Sequence, residues 1–479
     1  MRSANSQTPL YVIWLMPAIV PLASILASFY LQDWYWGLMD DAGIIASGTN
    51  VLDRFNNYFY GLISWGVFRP TFVLHSAIFY SWFENIPVLM HVLKWAEATL
   101  VLVIWGIAVH RISRHNLALP IFMTAALSFH YFYDTFFFIS THEIIGMLFL
   151  GVAFNIFLSG LKADAYRFAG LASAGIALML VGFGAKEPLA SCGIAFALSF
   201  LVLGFIEPEI DRRAYWISGP IFAVSVIYIA GLRFFIRGAY TGGYSFTNYS
   251  KLLGTLYSWL VKDFANHLPW VVLVVLLGTA ASRSGPRLGL LSIFTTRQKW
   301  GIFTGVLLYG GYLAILLPWS TTSYYAGPLG VFFAFPVTIF VAEILPKTSM
   351  VVQVLIPIGA LLFNMIVSQW ALTRESIYHY DTQNLMAWVL GNAAFQAAAR
   401  EKMVYCNGME AAGTIPGHLA RDFSLQLPPF KHSGTQIDPT ISKAIIVWSP
   451  RFGGAETDFP RASWDTMFYS KFWQVYVRK

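Results

Sequence analysis

The chain has 479 residues, of which 57% are hydrophobic, 17% aromatic and only 11% charged, with a formal net charge of +7. Soluble domains carry roughly 25% charged side chains, so this composition excludes a water-soluble fold and points to an integral membrane protein. The excess Lys and Arg fall in short loops between apolar runs, where the positive-inside bias accounts for them without nucleic acid, and Cys192 and Cys406 form neither a disulfide framework nor a metal-ligand cluster.

About 20 apolar residues rising 1.5 Å each cross the hydrocarbon, and runs of that length recur along the chain. The predicted architecture is therefore an α-helical polytopic bundle of about eleven transmembrane helices. The first span, about Leu10 to Leu31, is longer than a signal-peptide core and reads as a retained anchor. After it comes the first outer loop, Asp33 to Arg69, with two adjacent carboxylates, Asp40 and Asp41, in an aromatic setting. Such a pair suits proton abstraction, binding of a divalent cation or stabilisation of developing charge, and equally suits a helix cap ahead of Ala-Gly-Ile-Ile. Val51 to Ile63 and Pro70 to Glu84 are too short to span and rich in aromatics, so both read as interfacial helices that keep the acidic pair near the headgroups. Arg54 and Arg69 are exposed candidates for phosphate binding or simply solvated.

The second span, near Ile86 to His110, carries His91, Lys94 and Glu97 before ending in RISRHN. Lys94 and Glu97 neutralise each other or a neighbour, or mark a transport site at the midplane. The third, Leu117 to about Phe137, places His130 and Asp134 four apart on one face, and an STHE turn then presents His142 and Glu143. With Asp40 and Asp41 these residues form a candidate cation site; the alternative is that His142 and Glu143 cap the turn while His130 and Asp134 pair within their helix. A fourth span runs from Ile144 to Leu161, and a fifth from Phe168 ends at GAKEP, where Lys186 either binds a lipid phosphate or neutralises Glu187.

A sixth span follows from Leu189, and a seventh, Trp216 to Leu232, opens a long outer loop reaching about His267. That loop interleaves Arg233, Arg237, Lys251 and Lys262 with Tyr240, Tyr244, Tyr249 and Tyr257, a pattern that suits a phosphate-headed lipid or an interfacial belt of snorkelling cations. Gly242-Gly243 within it has the composition of a loop that closes over substrate. The eighth span leads to a basic stretch, the ninth ends at PWSTTSYYAGP, the tenth at LPK, and the eleventh covers about Val351 to Trp370. Residues 371–479 form a small C-terminal α/β domain, in which LMAWVLGNAAFQAAAREKM is helical and KAIIVWSP and FWQVYVRK are strands. The chain thus divides into a membrane domain, 1–370, and an extracytoplasmic domain, 371–479. The alternation of Lys and Arg across the loops places the N-terminus in the cytoplasm.

The acidic pair in MDDAGII, the STHE cluster after the third span, the Lys-Glu of GAKEP and the trailing outer domain together resemble the GT-C superfamily of membrane glycosyltransferases, which use sugars carried on polyprenyl phosphate. The resemblance implies that Asp40 or Asp41 is a catalytic base or a metal ligand, assisted by Glu143 with His142. It implies inverting transfer at the outer face of a bacterial inner membrane to a glycan, lipid or protein acceptor, with Lys186, Arg237 and Arg69 gripping the leaving phosphate. Where the family pattern has Asp-x-Asp in the second outer loop, this chain has His-Glu, so a Mg or Mn ion would rest on Asp41, His142 and Glu143. Two rivals stand beside it: a secondary transporter or flippase, and a scaffold in an envelope-assembly complex.

Overall fold

The computed structural model of the chain describes residues 8–32, 34, 47–64, 66–83, 86–139, 141–206, 211–235, 249–283, 290–317, 323–401, 404–406, 415–417, 419–420, 423–428, 430, 444–448 and 464–478. Within these, ten helical stretches are long and apolar enough to cross a membrane, and the protein is an integral membrane protein. Helices dominate because no water inside a bilayer can satisfy an open backbone, so each span closes its own hydrogen bonds.

Helix α1 (Thr8–Leu31) is the first span. The predicted first outer loop contains α2 (Val51–Ser64) and α3 (Pro70–Phe83), the two short helices expected there. Both arginines of that loop are buried, contrary to expectation: Arg54 is 1% exposed with Nη1 donating to Ser81 at 3.0 Å, and Arg69 is 5% exposed. The short helices fold back onto the bundle, so their cations are enclosed.

Next come α4 (Pro87–Ser113), α5 (Ala118–Leu127), α6 (His130–Phe137), α7 (His142–Gly160) and α8 (Ala165–Phe183). The predicted third span is thus two pieces, and α5 is a short apolar helix outside the set of ten. Ser128 accounts for the break: its hydroxyl back-bonds to the Thr124 carbonyl at 2.9 Å and reaches Asn364 Oδ1 at 2.8 Å, while Phe129 turns extended with φ −90° and ψ 109°. The Phe129 ring then lies against Gly330, where an added Cβ would come within 2.8 Å of it.

The remaining helices are α9 (Ala190–Ile206), α10 (Asp211–Phe235), α11 (Tyr249–Ser258), α12 (Leu268–Arg283), α13 (Thr296–Leu316), α14 (Gly327–Ile344), α15 (Met350–Gly391) and α16 (Ala393–Arg400). A spanning helical stretch begins at Leu252, so the second part of the predicted long outer loop is helical, joined by a π turn over Trp259–Asp263. The last span runs on through residue 370: α15 has 42 residues, about 60 Å at 1.5 Å per residue, roughly twice the hydrocarbon thickness.

The core is a continuous aromatic and aliphatic mass between the spans. Trp105 sits at its centre, its ring meeting Phe154, Phe196, Phe332 and Phe335, with its indole N–H donating to the Met147 carbonyl at 3.0 Å. Around the C-terminal part of α15 a second core gathers with Tyr378, Phe395, Trp473 and Val475. Four strands, β1 (Val404–Cys406), β2 (Ala444–Trp448), β3 (Trp464–Tyr469) and β4 (Trp473–Arg478), form one sheet in the order β1-β2-β4-β3, parallel only between β1 and β2. The two predicted strands are β2 and β4; the other two went unpredicted.

Candidate active site

The site is built where the starts and ends of four elements meet. Arg69 lies just before Pro70, the first residue of α3, and α3 is docked on the end of α8: the Thr71 N–H donates to the Gly184 carbonyl at 3.0 Å and its hydroxyl to the Val181 carbonyl at 2.7 Å. After α8 the chain turns extended at Lys186, and Glu187-Pro188-Leu189 make a 3-10 turn into α9. His142 and Glu143 open α7 beside it.

These neighbours pair crosswise. Glu187 is held by the Arg69 guanidinium, Nε to Oε2 at 2.8 Å, and by the Phe68 backbone N–H at 3.2 Å. Lys186 turns the other way, its ammonium 3.2 Å from Glu143 Oε1 and 4.1 Å from the centre of the Tyr325 ring. The expectation that Lys186 neutralises Glu187 is therefore corrected. In an extended backbone adjacent side chains point to opposite sides, so Lys186 finds its partner at the start of α7 and Glu187 finds its own just before α3. Lys186 and Glu143 are both 0% exposed, and removing two charges from water costs several kcal/mol per ion unless each is paired.

His142 has the Phe72 ring against one face, centroids 3.5 Å apart, and its Nε2 is 3.5 Å from Arg69 Nη1. Its Nδ1 is buried and has no hydrogen-bond partner among the described residues. Below the turn, Lys94 on α4 donates to Glu97 at 3.0 Å and to the Thr141 carbonyl at 3.5 Å, and Glu97 also accepts from His75 of α3 at 2.5 Å. Lys94 and Glu97 thus form the neutralised pair expected of them, with His75 added from the loop helix. Arg69, Lys94 and Lys186 converge on the three residues Thr141-His142-Glu143.

The other polar residues of the third span do not join this cluster. Asp134 pairs with Arg374 of α15, which also contacts Glu375 at 2.7 Å, so Asp134 does not pair with His130 inside their helix. The His130 ring packs against Tyr131 and Trp370. His91 packs in an aromatic group, tilted against Phe29 and Trp34 and edge-on to His379. Asp40, Asp41, Arg237, Tyr240 and Tyr244 lie outside the described residues. Arg374 and Tyr325 were missed from the sequence; Tyr325 sits in PWSTTSYYAGP, a stretch whose aromatics at a span end were the available signal.

A divalent cation fits the described residues poorly. Glu143 is engaged by an ammonium and His142 faces a guanidinium, so a further cation there would meet like charge on two sides. Among the described residues no three His, Cys, Asp or Glu side chains group as metal ligands would.

A polytopic helical bundle followed by a small α/β lobe is the architecture that the GT-C resemblance leads one to expect. No protein-family model matches the chain, and no curated protein matches it. Among solved structures, ArnT from Cupriavidus metallidurans bound to undecaprenyl phosphate shares the fold, with a TM-score of 0.50 at 12% sequence identity, over 99% of this chain and 98% of that one. The apo crystal structure of the same ArnT gives a TM-score of 0.47 at 12% identity and the same coverage.

Proposed function

We propose that the protein is a membrane glycosyltransferase of GT-C type, which moves a hexosyl or pentosyl group from a polyprenyl-phosphate-linked donor to a glycan, lipid or protein acceptor at the outer face of the membrane. The observation that carries this reading is the buried convergence of Arg69, Lys186 and Lys94 on the His142-Glu143 turn, within a fold shared over nearly its whole length with a protein that binds undecaprenyl phosphate.

The chemistry follows from those groups. An acceptor hydroxyl is a poor nucleophile until a carboxylate takes its proton, and Asp40 or Asp41 is assigned that task. A positioned base contributes about 10²–10⁴-fold, so orientation and stabilisation of the leaving phosphate must supply the remainder. Arg69 and Lys186 supply it, with Arg237, Tyr240 and Tyr244 of the long outer loop completing the grip. The two cations are held in place by Glu187 and Glu143 before substrate arrives, so little reorganisation is needed when charge develops on the departing phosphate. In this reading Glu143 orients Lys186, and transfer inverts the anomeric carbon. The N-terminus is cytoplasmic and the C-terminal lobe outside, in a bacterial inner membrane.

The test is transfer of label from a polyprenyl-phosphate sugar by purified protein in lipid, with Asp40→Asn and Asp41→Asn assayed beside the parent. One of the two is expected to lose at least a hundredfold in kcat while still binding donor. If both retain parental turnover, the transferase reading fails. Flux of labelled lipid-linked sugar across vesicles, unchanged in both variants, would instead favour a flippase.

A further inference from the structure

His142 was first placed as a metal ligand, and its surroundings assign it something else. The guanidinium of Arg69 has only donors to offer, so the ring nitrogen that meets it at 3.5 Å, Nε2, must present its lone pair. In a neutral imidazole that leaves the proton on Nδ1. Nδ1 is buried and has no hydrogen-bond partner among the described residues, in a residue that is only 1% exposed. A buried N–H without an acceptor is costly, and such groups are rare enough that each calls for a reason.

The neighbours narrow the choice of acceptor. Three cations converge on the turn that carries this N–H, and each has a carboxylate partner of its own: Arg69 with Glu187, Lys186 with Glu143, Lys94 with Glu97. A fourth donor set among cations suits an anionic oxygen, since hydrogen bonds to a charged acceptor are about twice as strong as neutral ones. The less enclosed side of the cluster is the Arg69–Glu187 pair, whose side chains are 6% and 14% exposed against 0% for Lys186 and Glu143.

We propose that His142 is a neutral hydrogen-bond donor which, through Nδ1–H, binds a non-bridging oxygen of the phosphate on a lipid-linked substrate, with Arg69 fixing the tautomer, and that it neither ligates a metal nor takes a proton. This rests on the transferase reading above and specifies one contact within it. Arg69 then has two tasks, holding Glu187 and keeping the imidazole proton on the nitrogen that faces the ligand.

Binding of undecaprenyl phosphate and of undecaprenol to full-length protein, each with and without a chelator, tests it through the shift in thermal unfolding temperature across a ligand titration. His142→Asn keeps a donor near the position of Nδ1, and His142→Gln keeps one near Nε2. Asn is expected to hold undecaprenyl-phosphate affinity within about threefold of the parent, while Gln and Ala lose about tenfold or more. Undecaprenol affinity should be the same in all four proteins, and a chelator should change nothing. The Ala variant also loses the Phe72 packing and the Arg69 contact and is expected to unfold earlier without ligand, so each ligand-induced shift is read against that variant's own ligand-free midpoint. The inference is overturned if Ala binds the phosphate like the parent, if Gln rescues and Asn does not, if a chelator abolishes binding, or if inorganic phosphate competes as well as the lipid does. Should the parent itself fail to prefer undecaprenyl phosphate over undecaprenol, the transferase reading falls first, and the two failures are thereby distinguished.

Discussion

Lys186 and Glu143 are a fully enclosed ion pair, and the consequence of cutting it is set by the partner left behind. Lys186→Met strands an uncompensated carboxylate in the core and should cost about 3–5 kcal/mol, read as a lower midpoint in thermal or denaturant unfolding. Changing both residues to apolar ones of similar size, Lys186→Met with Glu143→Leu, should recover most of that stability, because a well-packed apolar pair is often as stable as a buried ion pair. Donor binding should not recover. A pair that matters only for folding would regain both together, so the split between the two readouts separates the roles. Sequence alone marked Lys186, Glu187, His142, Glu143 and Arg69 as worth attention, because ionisable groups beside apolar spans are expensive. Of its two readings of Lys186, the one that neutralised Glu187 named the wrong carboxylate, since chain adjacency is a poor guide where the backbone is extended.

Helix α7 brings His142 and Glu143 to Lys186 because it crosses α8 at close range. An added Cβ on Gly146 would lie 3.0 Å from the Gly182 carbonyl, and one on Gly182 would lie 3.1 Å from the Gly146 carbonyl. Backbone blocks both positions, as in other membrane helix pairs joined through small residues. Gly146→Val should therefore force the helices apart, and a stability loss of about 1–3 kcal/mol is expected together with weaker donor binding, measured on the same preparation. On the other side of the bundle, Pro21 inside α1 has no N–H for the Pro17 carbonyl, and Asn364 of α15 donates to that carbonyl at 3.0 Å and to Thr124 at 3.1 Å. Asn364→Leu should cost about 1–3 kcal/mol by leaving the Pro17 carbonyl without its donor in an apolar setting, while Thr124 and Ser128 keep each other. Both prolines of α1 are visible in the sequence; the asparagine that satisfies one of them is 347 residues away.

At the scale of the whole molecule, helix α7 joins two charged clusters, one at each of its ends. The His142 end of α7 carries the candidate site, while at the other end Lys162 is held below its ordinary value, first by Arg297, with burial, Arg114 and Arg111 adding to the effect. Those four cations come from the RISRHN loop, the KADAYR loop and the TTRQKW stretch, so the predicted basic side does assemble as one face. The C-terminal lobe is tied to the bundle by α15. The Phe472 N–H donates to Asp381 at 3.1 Å, and the Trp473 indole donates to the Thr382 hydroxyl at 3.1 Å. Asp381→Leu should loosen the lobe, and limited proteolysis should then release a fragment from beyond residue 400 faster than in the parent while the spans stay protected. Equal cleavage rates would mean that the second core alone holds the lobe.

What the amino-acid order determines here is local. Twenty-residue apolar runs have one cheap solution in hydrocarbon, a self-bonded helix, and two short aromatic helices, two of the four strands and the charged dipeptides beside the spans were all legible from patterns within a few turns. What only the tertiary structure decided is which charges meet: Lys186 with Glu143, Arg69 with both Glu187 and His142, and Arg374 with Asp134, across 43, 118, 73 and 240 residues of chain. Such pairings leave no periodic trace, because a buried ion chooses its partner by where helix ends come to rest after packing, and that depends on glycine crossings and helix breaks distributed along the whole sequence.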